Sequence, residues 1–168
     1  DANHGSYSKN PKVNFALGYL IAFIGGYHIT WKIQHNVLHH SFTNIDGYDE
    51  DINKPGILRF SPTQKRKGIF RFQAFYAPFL YGLMTIYWLV GKDFDQLIRY
   101  NKKKLLEGQG VTLKKAIMPL VLNKIGYFTL FIAMPLIALN NLPWWQILGG
   151  FFLMHFIAGL ILAFIFQL

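Results

Sequence analysis

The sequence predicts an all-α integral membrane protein: a transmembrane helical hairpin plus interfacial helices and a cytoplasmic histidine-rich region. Three observations carry that expectation. Charged residues are only 15% of the chain, whereas soluble domains average about 25%. The charges are also segregated, with no Asp, Glu, Lys or Arg in the 44 residues after Lys124, enough for two crossings of about 20 residues each. Finally, the alternation of a half-buried strand is absent, so the apolar stretches read as helices.

Taken in order, residues 1–12 are polar and carry a histidine. Residues 13–31 are apolar and contain Gly18, Gly25 and Gly26, and residues 32–53 hold the densest polar chemistry. A basic loop over 54–71 is marked by Pro55-Gly56 and Ser61-Pro62, dipeptides that favour turns. Residues 72–91 are apolar and aromatic. Residues 92–118 are basic, with a helix expected before the Gly108-Gln109-Gly110 break. The hairpin over 119–168 turns at Asn140-Asn141-Leu142-Pro143. Trp144 and Trp145 stand where an interfacial aromatic belt belongs. These segments form one partial domain, divided as 1–53, 54–118 and 119–168. The sequence begins inside a motif and ends inside an apolar run, as expected of a piece of a longer chain.

The net charge is +9. In a soluble protein it would point to nucleic acid. Here 12 of the 17 Lys and Arg fall between Arg59 and Lys115, beside apolar segments. Retention of basic loops on the cytoplasmic side accounts for that placement, and no nucleic-acid partner is expected. With no cysteine in the chain, disulfides, thiolate zinc sites and iron–sulfur clusters are excluded. A transition metal would have to be held by histidine and carboxylate.

Three of the six histidines lie in one run, Gln34-His35-Asn36-Val37-Leu38-His39-His40. On an α-helix, positions i and i+4 stack on one face, so His35 and His39 can share a metal. His40, rotated about 100° from His39, could reach a second. Imidazole suits iron, zinc and copper. The plainer reading of this run is a solvated polar loop. The acidic residues Asp46, Asp49, Glu50 and Asp51 follow. Metal-bound histidine usually donates its other N–H to a carboxylate or carbonyl, which makes Asp1, Asp49 and Asp51 candidates for that role. A solvated turn with helix-capping acids is the alternative. Asp46-Gly47 does not open a calcium loop, because the later ligand spacing is missing. His155 lies in an apolar helix, about 17–20 Å from either end at 1.5 Å per residue, and is expected to be hydrogen-bonded rather than a ligand. His28 has no partner at ligand spacing and is read as structural.

With these residues in view, the chain resembles the membrane fatty-acid desaturases. Their first box often reads His-Asp-Xaa-Xaa-His, and Asp1-Ala2-Asn3-His4 matches its last four positions. Their second box, His-Xaa2-3-His-His, is matched by His35–His40 in the longer spacing. The surroundings, Trp31–Asn36 and Thr43–Ile52, are similar to bacterial acyl-CoA desaturases of the linoleoyl-CoA, or delta-6-like, type. The third box, Gln-Xaa-Xaa-His-His, is absent from these 168 residues, as is a cytochrome b5 domain.

The resemblance implies a di-iron oxidoreductase that uses O2 to place a double bond in an acyl chain. The iron ligands it implies here are His4, His35, His39 and His40. It also implies an acyl-CoA or acyl-lipid substrate, contact with membrane lipid, and an external electron donor such as cytochrome b5 or ferredoxin. The implied location is a membrane, the bacterial inner membrane, with the boxes facing the cytoplasm. Four histidines are about half of what two irons need, so these residues alone are expected to be inactive. A related di-iron hydroxylase or ketolase acting on alkanes or carotenoids begins with the same hydrogen abstraction, and the boxes do not separate it; the Thr43–Ile52 context favours the desaturase. A transporter half or a metal-binding scaffold would instead place polar residues within the spans.

Ligands of one metal cluster must lie on one side of a membrane. His4 and His35 are separated by a single apolar stretch of 19 residues, Val13–Trp31. One crossing would part them, and two crossings need about twice that length. The stretch is therefore expected to be interfacial or re-entrant. The same is expected of Phe72–Gly91, which has basic residues on both flanks and seven aromatics. The crossings are then about 119–140 and 144–166.

Overall fold

The computed structural model describes residues 4–53 and 57–167, and these are helical or irregular without a strand. They fall into two compact units, one of residues 1–18 and 28–80, the other of residues 19–27 and 81–168.

The first unit carries the histidine run. Helix α1 (Pro11–Gly18) opens with a cap that its sequence dictates. The Asn10 side-chain oxygen accepts from Lys12 N at 2.9 Å, and Pro11 at the first helical position has no N–H to satisfy. Asn14 is buried in this helix. Its amide donates to Gly5 O at 2.8 Å and Ser8 O at 2.7 Å, and its oxygen accepts from Ser8 N at 2.8 Å. Three bonds from one side chain thus tie the segment just after His4 to α1. Helix α2 (His28–Lys32) continues directly into a wider π-helical turn, Ile33–His39. Ile33 and Leu38 are buried there and anchor the apolar side of the run. Loop residues 57–67 are organised by Gln64, which donates to Asp46 Oδ1 and Ile52 O and accepts from Phe60 N. Helix α3 (Gln73–Gly82) follows a short 3-10 turn, Gly68–Phe72.

The second unit begins with the 3-10 turn Tyr19–Ile24. It then holds α4 (Met84–Tyr87), a π turn (Trp88–Lys92), α5 (Asp93–Lys102), α6 (Leu113–Phe128), a π turn (Thr129–Ala133), α7 (Met134–Ala138) and α8 (Trp144–Gln167). Leu89, Leu97, Tyr100, Leu106, Ala116 and Leu120 are almost fully buried and form its core. Gly159 of α8 meets the carbonyls at the end of α3; an added Cβ would lie 2.5 Å from Tyr81 O and 2.7 Å from Gly82 O. Small residues permit such close approach where helices pack within a membrane.

Two helical stretches are long and apolar enough to cross a bilayer, Leu113–Ala138 and Trp144–Ile165. Their outer faces expose Met118, Leu122, Ile137, Leu153, Ile161 and Phe164, a distribution suited to lipid and not to water. The first starts at Leu113, nearly two turns before the expected residue 119. Lys114 and Lys115 belong to its opening turn, where long cationic side chains can reach toward the interface. The segment over 13–31, expected to be interfacial or re-entrant, is helical but broken. Gly25, at φ 82°, closes the first arm, and Pro11–Ile24 and His28–His39 diverge by 107°. The helix beginning in 72–91 is likewise interrupted between Gly82 and Met84. Each bent pair would count as a further crossing only if it spanned as one piece.

Candidate metal centre

The winding of residues 33–39 decides which histidines meet. His40 N donates to His35 O at 3.0 Å, a five-residue closure in place of the α-helical four. The extra residue per turn carries His40, not His39, over His35. Ring centroids are 4.6 Å apart for His35 and His40, against 5.5 Å for His35 and His39. His4, held through Asn14, completes this group. Its Nε2 lies 3.2 Å from His40 Nε2, and its ring stacks on His35 at 5.1 Å. One ligand atom from each of His4, His35 and His40 falls within 4.8 Å of the others.

A second group forms around His39. Its Nδ1 sits 3.1 Å from both oxygens of Asp49 and 3.3 Å from Asp51 Oδ2. Asp49 is fully buried and also accepts from Asn44 N at 2.8 Å and Asp51 N at 2.9 Å. Asp51 is held in turn by the amide of Gln34. Asp1 lies outside the described residues.

Two features of the first group fit a bound cation. His35 Nδ1 is buried without a hydrogen-bond partner; its nearest carboxylate oxygen, on Asp51, is 4.0 Å away. Two facing ring nitrogens 3.2 Å apart match the separation of nitrogens sharing one ion at about 2.1 Å each, roughly 3.0–3.4 Å. Electrostatics agree. Burial pushes the His35 imidazole below its ordinary pKa; His40, His4 and His39 add to this, and Asp51 partly opposes it. Burial does the same to His4, with His40 contributing. Neutral imidazole is the form that binds metal. The donor set, nitrogen with nearby carboxylate, suits iron, zinc or copper.

The other two histidines stand apart from these groups. His28 packs edge-on against Phe15 at 5.9 Å, and burial, with Lys32 nearby, lowers its pKa to about 4. His155 is buried in α8 and fully hydrogen-bonded. The Thr85 hydroxyl donates to His155 O at 2.8 Å. It must then accept from His155 Nδ1–H at 2.9 Å, which leaves Nε2 to accept from Tyr127 OH at 3.0 Å. His155→Ala should therefore lower thermal stability, as expected where a buried donor left unmatched costs about 1–3 kcal/mol. Bound metal should stay at the wild-type level. Metal loss from a folded His155→Ala protein would place this ring at the centre after all.

Sequence reasoning did not single out Asn14, Gln34 or Trp31, whose ring stacks on His35 at 5.0 Å. Trp31 and Gln34 flank the box and were legible as context. The reach of Asn14 to residues 5 and 8 was not.

Two membrane-competent helices, a cluster of three histidines and a histidine–carboxylate group beside it define a helical membrane protein with a candidate metal centre. The family model for fatty acid desaturases matches residues 1–168. The chain is 43% identical over 104 residues to an sn-1 linoleoyl-lipid 6-desaturase of Synechocystis sp., covering 62% of this chain and 28% of that protein. It is 38% identical over 96 residues to an acyl-lipid (8-3)-desaturase of Physcomitrium patens, covering 56% and 20%. It is 32% identical over 170 residues to a probable Delta(5) fatty acid desaturase C of Dictyostelium discoideum, covering 99% and 36%. No solved structure matches. The chain thus belongs to the fatty acid desaturase family, and it spans about a fifth to a third of the length of these curated relatives.

Proposed function

We propose that this chain supplies the first two histidine boxes of an O2-dependent fatty-acid desaturase. The observation that carries the reading is the convergence of His4, His35 and His40, with His39 beside them bonded to a buried carboxylate, in a member of this family. His4, His35, His39 and His40 would hold iron in a di-iron centre. Such a centre supplies the oxidising power, drawn from O2 and donated electrons, to remove hydrogen from an unactivated methylene. Asp49 accepts from His39 Nδ1–H and so leaves Nε2 free for metal. Trp31 covers one face of the His35 ring and limits its access to water. The names of the relatives favour an acyl chain carried on a lipid over acyl-CoA as substrate. Cytochrome b5 or ferredoxin is the class of electron donor. The location is a membrane, the bacterial inner membrane in a bacterial host, with the boxes on the cytoplasmic side.

The test uses membranes containing the full natural protein that carries these residues, with O2 and either reductase system. Linoleoyl lipids should gain a double bond. Hydroxylated product would favour the hydroxylase reading, and no oxidised product from lipid or CoA substrates would overturn the proposal. Topology is a separate check. Single cysteines replacing Lys9, Lys65 and Glu107, all exposed, should react with an impermeant maleimide from one face, and one replacing Asn141 from the other. Labelling of Lys9→Cys and Lys65→Cys from opposite faces would refute the shared-side placement.

A further inference from the structure

A single buried ammonium binds three separate stretches of the second unit. Lys124 is about 16 Å along the crossing that starts at Leu113, at 1.5 Å per residue, and is 5% exposed. It donates to Gly25 O at 2.5 Å, to Trp88 O at 2.9 Å and to Asp93 Oδ2 at 2.6 Å. An ammonium has three donors, and all three are used. Asp93 is fully buried as well, with Lys92 3.7 Å from its other oxygen.

The backbone at Gly25 explains why an ammonium is placed there. Gly26 N bonds Ile21 O and Gly25 N bonds Ala22 O, each at 3.0 Å, while Gly25 takes the left-handed conformation. This is a Schellman helix end, set in the middle of an apolar stretch. The carbonyls of Gly25 and Gly26 then lie outside any regular helix. Hydrocarbon offers them no partner, and irregular backbone survives at membrane depth only where protein meets it. Helix α6 does so at successive residues: Lys124 takes Gly25 O, and Asn123 takes Gly26 O at 3.2 Å. Tyr27 OH donates to Ala116 O at 3.0 Å, which fixes the next residue to the same helix. Trp88, whose carbonyl is the third acceptor, opens the π turn Trp88–Lys92, a second irregular stretch. The arm leading into the turn, Pro11–Ile24, is 14 residues, about 21 Å as helix and too short for a core of about 30 Å.

We infer that Lys124, neutralised by Asp93, is the lock that makes the first apolar segment turn back instead of crossing. It is a positioning residue, upstream of any metal chemistry, and its failure would leave the proposed desaturation reading untouched. Without the ammonium the Gly25 carbonyl has no partner, and a continuous helix from 11 to 32 becomes the better way to satisfy the backbone.

The chain has no cysteine, so the face of a single introduced thiol reports the turn directly. The test places Lys9→Cys in wild-type, Lys124→Met and Lys124→Met/Asp93→Leu backgrounds of the full chain in membranes, with Lys65→Cys as the reference. The double variant leaves neither Lys124 nor Asp93 facing an empty partner position, the main reason a single variant would fail to fold, and Lys92 keeps its bond to Gln96 and its place over the Trp88 ring. It therefore carries the test if Lys124→Met is degraded. In it, labelling of Lys9→Cys from the face opposite Lys65→Cys should rise at least tenfold, a shift of about 1.4 kcal/mol. One-sided labelling at the wild-type ratio in the double variant would overturn the lock and reduce Lys124 to a counter-ion for Asp93.

Discussion

His35→Ala is expected to abolish desaturation by the full natural protein and to lower its bound iron. In the 168-residue chain it should weaken binding of a divalent probe such as Co2+. His35 is in ring contact with each of the other proposed ligands. It stacks on His4, lies edge-on to His40, and has a buried Nδ1 without a hydrogen-bond partner. The substitution leaves only His4 and His40 in that group and opens a cavity under Trp31. Metal affinity depends on the complete ligand set, so the effect should exceed that of any neighbouring polar change. His39→Ala and His40→Ala should also abolish activity. Iron content and product should fall together. An active His35→Ala protein holding wild-type iron would show that the histidine run is not the metal centre.

The second large effect is expected at Asp49. Asp49→Ala removes the acceptor of His39 Nδ1 and leaves the N–H groups of Asn44 and Asp51 unpaired beside a buried cavity. Each buried donor left unmatched costs about 1–3 kcal/mol. Loss of a carboxylate behind a metal-bound histidine typically lowers affinity about 10–100-fold. Asn44 holds a left-handed conformation, at φ 62°, so the loop has little other support there. Asp49→Asn separates the two effects. It keeps the shape and one acceptor oxygen but turns its NH2 toward one of the two backbone N–H groups, so thermal stability should recover only in part, while affinity for the metal stays low because the charge is gone. Asp51→Ala, at a part-exposed position, should be milder in both. Wild-type metal affinity in Asp49→Asn would make the Asp49–His39 bond purely a loop contact.

Much of this protein is legible as local chemistry. Hydropathy marks the two helices long and apolar enough to cross a bilayer, because a lipid-facing helix needs only the composition of about 20 consecutive residues. It marks the two bent stretches as well, and only the need to keep the histidines on one side argues against those. Asn10-Pro11 announces a helix start, Gly25-Gly26 holds the signal for a helix end, and the spacing of His35, His39 and His40 marks the candidate metal centre. Each of these is written within a few neighbouring residues.

The sorting of the ligands was not written there. An α-helix pairs His35 with His39, and only the π closure from His40 N to His35 O moves His40 into that place and turns His39 toward Asp49. A π turn has no strong sequence preference of its own and persists where packing holds it; here Ile33 and Leu38 are buried on its apolar side. Polar pairs between distant positions were hidden for a related reason. Lys124 read as the last charge before the hairpin, and its partners lie 31, 36 and 99 positions away. Thr85 and His155 are 70 apart. A lone polar residue in an apolar segment says that a partner must exist, since hydrocarbon supplies none. Which residue answers it depends on which helix faces meet, and that is decided by close approaches such as Gly159 on Tyr81 and Gly82. By itself the sequence determined where the chain can enter a membrane and which side chains can hold a metal. Tertiary structure decided which of those side chains share a site and what satisfies the backbone where the first apolar segment breaks, because both depend on groups finding partners far away in the chain.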